Sequence, residues 1–464
     1  MDRKDEVDVE SDRDLSAEPL EPTTVERVAD GRTIPADTET NGPSTAPPNA
    51  AAKPAVPDGG LQAWLQVLGA FVVMLLTWGI VNSFGVYQTY YETELLVGKA
   101  SSSDISWIGS LQGALLMMGG LVSGPLFDAG YFRHLTSAGL LLVLLGLFMT
   151  SLCSAYWHIV LAQGVCVGAG SGLLFLPSAA VLSQYFARRR ALVLGIQSVG
   201  SPLGGIVFPI VFARLAPRVG FAWASRVLAF IALALAAVPL AFLRPNPALA
   251  GPRPRRAFID TAALREPPFA VYTLSGLVAF MGLYVPFFYL QLYVLRHGAA
   301  DGRVTPYLVT LLNAGSVPGR LLPNFAADRL GSLRVLAATT LAAAATAYGW
   351  LGVRSAGGAA AFAVVFGFCN GGVTSLPPAA IASLTPDLSR LGARMGTAFA
   401  FVGAAVLVGT PVAGAILQSG TGADADAAWR GLILFSGTTL LAGSAGWAVT
   451  EWLRVRRIHM SHSE

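Results

Sequence analysis

Charged side chains make up only 12% of the 464 residues, about half the share of a soluble domain. The shortage is uneven. Residues 1–57 hold 13 of the 27 acids and 6 of the 31 bases, which leaves 14 acids and 25 bases, net +11, for the other 407 residues. A chain that is 54% hydrophobic, with a mean hydropathy of +0.58, has too few solvating groups for a water-soluble globular enzyme. Cysteine is scarce too: Cys153, Cys166 and Cys369 all lie in apolar stretches, which excludes a disulfide framework. There is no CxxC pair or Cys/His cluster with metal spacing, so neither a metal nor a cofactor is expected. The arginines fall in separate short loops, not on one patch, which argues against a nucleic-acid partner. The first 57 residues contain no apolar core, so no cleavable leader is expected, and the first apolar segment is expected to serve as the insertion signal.

What the chain does have is long apolar runs. Residues 1–57 read as a disordered polar tail. Beyond them, segments near the ~20 residues needed to cross a bilayer as a helix fall at 64–90, 105–127, 135–154, 157–184, 191–213 and 223–243. After a central loop come 269–293, 305–327, 333–353, 357–384, 392–418 and 429–452. The expected fold is an all-α membrane protein of twelve transmembrane helices in two six-helix pseudo-repeats. Its parts are a tail at 1–57, bundles at 58–243 and 269–453, a loop at 244–268 and a C-terminal tail at 454–464. With both termini cytoplasmic, the inside loops and C-tail hold 16 Lys/Arg and the outside ones eight, from Lys99 to Arg430. That excess sets the expected orientation.

The halves match at an offset of 200 residues. Gly124-Pro125-Leu126-Phe127-Asp128 aligns with Asn324-Phe325-Ala326-Ala327-Asp328, and Leu176-Pro177-Ser178-Ala179-Ala180 with Leu376-Pro377-Pro378-Ala379-Ala380. Parallel six-helix repeats place a substrate site between the halves near the mid-plane, opened alternately to each side by rocking. Channels and receptors do not need such symmetry, and no nucleophile–base pair or phosphate loop suggests an enzyme. Gly168-Ala169-Gly170-Ser171-Gly172 lies mid-span with no strand before it, so it is not a dinucleotide loop.

Two motifs narrow the class. Pro57-Asp58-Gly59-Gly60-Leu61-Gln62-Ala63-Trp64 opens the first span, and Tyr185-Phe186-Ala187-Arg188-Arg189-Arg190-Ala191-Leu192, continuing to Gly195, leads into the fifth. Together they resemble the signatures of the major facilitator superfamily, and within it the monocarboxylate transporter family, particularly its fungal branch, over about residues 57–455. The resemblance implies a secondary carrier of a small organic acid working by alternating access, with efflux of a secondary metabolite and a non-transporting receptor as alternatives. It also implies a plasma-membrane (or vacuolar) location and a chain that acts as a monomer, with a co-transported proton left open.

Arg320 is the one formally charged side chain placed well inside a span, where burial costs about 2.5–3.5 kcal/mol on insertion scales. It fits a carboxylate clamp, and the resemblance implies the same role. Asn82 and Ser316 stand where the resemblance leads one to expect a lysine and an aspartate. Neither titrates near neutral pH, so the proton relay does not carry over intact. Asn82, Tyr87, Gln163, Gln197, Tyr284, Asn313 and Asn370 complete the expected substrate site. Gly124, Asp128, Arg133, Arg188, Arg189, Arg190, Asp328 and Arg329 are the expected gating set. Gly109/Gly113, Gly120/Gly124 and Gly200/Gly204 have the small-xxx-small spacing of close helix crossings, and Pro177, Pro202, Pro209, Pro377, Pro378 and Pro411 are expected to kink their helices.

Overall fold

An apolar run in lipid must satisfy its own backbone, and without closed strand pairing a helix is the one solution. The computed structural model of the chain follows that rule. It describes residues 58–186, 189–247, 260–299, 301–385, 390–420 and 424–463, all in a compact unit spanning Pro54–Glu464. The expected tail at 1–57 and residues 248–259 of the central loop lie outside the described residues.

Ten helices among the described residues are long and apolar enough to cross a membrane. One of them, Leu192–Phe242, is two spans in one, because Gly220 sits at φ 77° and breaks the helical path. That positive φ is open to glycine at no cost. A further 23-residue helix, Leu308–Leu330, has the length to cross but carries Asn313, Arg320 and Asn324. Ten, plus one for the break, plus one for this helix gives the expected twelve. They are α1 (Leu61–Leu95), α2 (Ser102–Asp128), α3 (Phe132–Thr150), α4 (Tyr156–Tyr185), α5 (190–219) and α6 (221–242) in the N-terminal half. The C-terminal half holds α7 (Pro267–Arg296), α8 (Leu308–Leu330), α9 (Ser332–Gly352), α10 (Ala356–Ser383), α11 (Leu391–Gln418) and α12 (Ala425–Ser463).

The start of α1 and the end of α12 lie on one side of the bundle. The amide of Asp58 donates to the Tyr185 carbonyl at the end of α4. Opposite, Arg457 of α12 pairs with Glu266, just before α7, at 3.3 Å. We call this the terminus side, and the α1–α2, α7–α8 and α11–α12 connections define the opposite side.

Glycines set the closest crossings. On α8 and α10, Gly315, Gly319, Gly367 and Gly371 interleave so that each faces a backbone carbonyl of the other helix. Arg320, next in sequence to Gly319, directs its guanidinium to Ser201 of α5. A Cβ on Gly371 would lie 2.5 Å from the Ser316 oxygen and 2.9 Å from the Arg320 nitrogen, and overpacking of this kind costs about 1–3 kcal/mol. Gly371→Val should therefore lower the thermal unfolding midpoint of the detergent-solubilised protein. Gly124→Ala should not, since its new methyl would meet nothing nearer than a leucine carbon at 3.5 Å. Gly200 and Gly204 bear out their spacing: Cβ atoms there would lie 2.3 Å from the Phe71 oxygen and 2.6 Å from the Leu75 oxygen of α1.

Helix α1 is interrupted at Thr77 and again at Ser83, and α7 at Tyr284, just ahead of Pro286. The breaks at Ser83 and Tyr284 fall at nearly equivalent positions of the two repeats.

Candidate functional site

The two halves meet on a polar rung near mid-membrane. Arg320 is the thirteenth residue of α8, ~18 Å along it at the standard helical rise. Its Nη2 donates to the Ser201 hydroxyl of α5 at 3.4 Å, and the Asn82 amide of α1 donates to that same oxygen at 3.0 Å. Asn313, two turns along α8, donates to the carbonyls of Val309 at 2.9 Å and Asn82 at 3.5 Å. Its side chain fits because Gly205 of α5 has no Cβ; one there would sit 2.2 Å from Asn313 Oδ1.

Arg320 is 8% exposed, yet among the described residues no carboxylate lies within ion-pair distance of it, and its Nε has no partner. Arg394, at the terminus-side end of α11, shows the contrast. More deeply buried still, it is held by Glu266 and by Asp260 at 3.9 Å, donates to the Leu384 carbonyl at 2.9 Å, and stacks on Phe269. A buried charge is tolerated when paired and hydrogen-bonded. Arg394 meets that condition from within its own half. Arg320 does not, and it faces the other half.

An aromatic wall stands beside the guanidinium. Tyr284, at the α7 break, is close enough to couple electrostatically to Arg320. Its ring lies nearly parallel to that of Trp78, at the α1 break, with centroids 6.4 Å apart and planes 15° apart. Phe175 of α4 and Phe287 of α7 pack on Trp78 and Tyr284 at 5.9 Å each. The arrangement offers a cation, amide and hydroxyl groups, and flat apolar faces, contributed by both halves.

Of the expected substrate residues, the structure brings together Arg320, Asn82, Asn313 and Tyr284. The others sit elsewhere. Tyr87 lines a small apolar pocket in the N-terminal half with Ile80, Ser83, Phe208 and Leu228. Gln163 accepts from the Tyr91 hydroxyl at 2.6 Å, and Gln197 donates to Ser178 at 3.2 Å. These two bonds tie helices within one half. Asn370 is buried with its Oδ1 unpartnered, one residue from the glycine packed on the Arg320 backbone. Ser201 and Trp78 were absent from the sequence reading. A Trp in mid-span, away from the interfacial belts where Trp collects, is the signal that could have found one of them.

The gating set is more scattered. Asp128 closes α2 and is half-buried, Arg133 is exposed at the start of α3, and a Cβ on Gly124 would meet Leu176 of α4. Asp328 and Arg329 are exposed at the end of α8, Arg329 stacking on Phe325 at 4.9 Å. Arg189 is exposed ahead of α5; Arg188 and the Arg190 side chain lie outside the described residues.

Contacts between the halves crowd toward the opposite side. There Ser103 donates to the Pro411 carbonyl at 2.9 Å, Ser110 meets Thr410, and Arg214 donates to Tyr307 at 2.5 Å. Glu92 faces Arg296 at 3.9 Å, and Phe84 packs on Phe288 at 4.9 Å. Among the described residues, the Arg320–Ser201 bond is the inter-half hydrogen bond nearest the terminus side. The structure is thus the state shut on the opposite side.

The family profile described as Major Facilitator Superfamily matches residues 61–357. The chain is 41% identical over 387 residues to the MFS-type transporter dbaD of Emericella nidulans, covering 83% of this chain and 85% of that one. It is 37% identical to the aspyridones efflux protein apdF of the same organism (80% and 75% covered) and 34% to the MFS-type transporter pynF of Aspergillus niger (86% and 91%). Among solved structures, a peptide transporter POT in complex with sulfate superposes at a TM-score of 0.67 with 14% identity, covering 86% of this chain and 97% of that one. At that identity the likeness speaks for the fold alone. The profile, the fungal relatives and the twelve-helix repeat agree: the chain is a member of the major facilitator superfamily.

Proposed function

We propose that the chain exports an aromatic, singly anionic secondary metabolite by alternating access. The observation that carries this reading is Arg320, a buried guanidinium at the seam between the halves with no carboxylate among the described residues to neutralise it. A cargo carboxylate or enolate supplies the missing partner, and charge-assisted, two-point bonds to arginine are the strong ones. One cation suits one negative charge; citrate or phosphate would need more. The flat faces of Trp78 and Tyr284 suit a ring or conjugated system on the same molecule.

A small organic acid such as lactate would leave that aromatic wall unused, and a relative named for aspyridone efflux favours the export reading. Placement within the monocarboxylate branch rests on the two motifs around Trp64 and Tyr185. With both termini cytoplasmic and the chain in the plasma membrane, the state shut on the opposite side is the one that takes cargo from the cytosol.

Disrupting the gene in its own host tests the reading. Untargeted mass spectrometry of cells and medium should show an aromatic organic anion retained several-fold in the cells, and unchanged partition of every anionic metabolite would refute it. Truncation of the wall gives a finer test. An aromatic contact contributes about 0.5–1.5 kcal/mol beyond its area, so Trp78→Ala should raise the cargo KM about two- to twelvefold with little change in maximal rate.

A further inference from the structure

The charge balance of the site has consequences for how export is driven. Around Arg320 are Ser201 of α5, which it bonds, Asn82 of α1 on that same hydroxyl, Tyr284 of α7, and, one or two turns away on its own helix, Asn313, Ser316 and Asn324, the last donating to the Arg320 carbonyl. None of these groups carries a formal charge near neutral pH, and arginine keeps its own throughout. The other buried charges among the described residues lie away from this level. Arg394 and Asp260 neutralise each other with Glu266 on the terminus side, Glu451 sits between Arg334 and Arg454 on that side, and Glu92 faces Arg296 on the opposite side. The part of the carrier that changes exposure therefore bears one uncompensated positive charge when empty and none when it holds a monoanion.

We infer that transport is electrogenic and driven by the membrane potential, with no co-transported proton. Loaded, the site is neutral and crosses the field without work. Empty, it returns as a cation, so each cycle carries one negative charge across. An inside-negative potential draws the empty site back toward the cytosol and expels the anion. One elementary charge moving through 100 mV is equivalent to a concentration ratio of about fiftyfold. The inference rests on Arg320 being the anion's partner, and it is independent of which anion is carried.

Empty-carrier charge movement tests it without any cargo. Purified full-length protein in a planar bilayer, stepped in voltage with no organic anion present, should show a saturating transient charge. That charge should stay the same between about pH 5.5 and 7.5, because arginine does not titrate there. Arg320→Gln should lower it roughly tenfold, the contribution of the one uncompensated charge, while Arg320→Lys should retain it. Spin-label distances across the opposite side, recorded in parallel, establish that each variant still moves between states. Overturning results are a wild-type protein that changes state without moving charge, a charge that vanishes on acidification, or an Arg320→Gln protein with undiminished charge. If the Gln variant does not insert, the pH series and the Lys variant decide. Unchanged partition of every aromatic anion in the cargo screen, with charge movement intact, would refute the proposed cargo and leave this inference standing.

Discussion

Arg320→Gln is expected to all but abolish export while leaving the protein folded. A hydrogen bond to a charged group contributes about 1.5–3 kcal/mol, so losing the guanidinium predicts a 10- to 150-fold fall in the rate constant for cargo at low concentration. The fold should not suffer in step. Among the described residues Arg320 makes one side-chain bond, at 3.4 Å, and its Nε has no partner. Gln removes a charge whose burial is costly, so the thermal unfolding midpoint should hold or rise. Arg320→Lys should restore part of the activity, since it keeps the charge and loses the two-point fork. The comparison separates cargo binding from structural support: for Arg394, whose carboxylate partners would be stranded, the same change should destabilise the protein by about 3–5 kcal/mol.

Gly85→Val is expected to hold the opposite side open. Gly85 lies on α1 where it meets α7, and a Cβ there would fall 1.9 Å from the Phe287 carbonyl oxygen and 3.1 Å from a Val309 methyl carbon. Both neighbours belong to the other half, so the clash penalises only the state in which the halves touch on that side. An overpacking cost of about 1–3 kcal/mol moves the ratio of states five- to 150-fold. A cysteine introduced at Thr89, 5% exposed in the shut state, should react with a membrane-impermeant maleimide in the Gly85→Val background and resist it otherwise. Equal labelling in both backgrounds would show that Gly85 does not govern closure.

Much of the fold could be read from the sequence because spans obey a single rule, twenty apolar residues per crossing, and the repeat offset doubles the evidence. The α5–α6 boundary was also legible, as the apolar run lapses around Gly220. Arg320 was conspicuous because a charge in lipid is costly and therefore rare. The remainder of the site was not legible for a physical reason: neutral polar side chains are cheap enough in a bundle to serve as ties between helices. Gln163 and Gln197 form such ties, Asn82 and Asn313 lie on the seam, and nothing in their spacing separates the two cases. Ser201 was hidden for the same reason, since its role comes from where α5 crosses α8. Closure on the opposite side was likewise invisible, because it depends on carbonyls approaching Gly85 and on hydroxyl pairs such as Ser110 and Thr410 that lie 300 residues apart.

The connection between the halves is stapled down at each end. Gln184 of α4 accepts from the Asn246 amide at 2.8 Å, and Arg390 grips Asp260 at 2.7 Å while Thr397 receives the Asp260 amide at 2.9 Å. Asn246 thus travels with the N-terminal half and Asp260 with the C-terminal half. Each staple stays within one half, so the groups that part and rejoin as the halves rock include the seam at Arg320 and the clasp around Gly85.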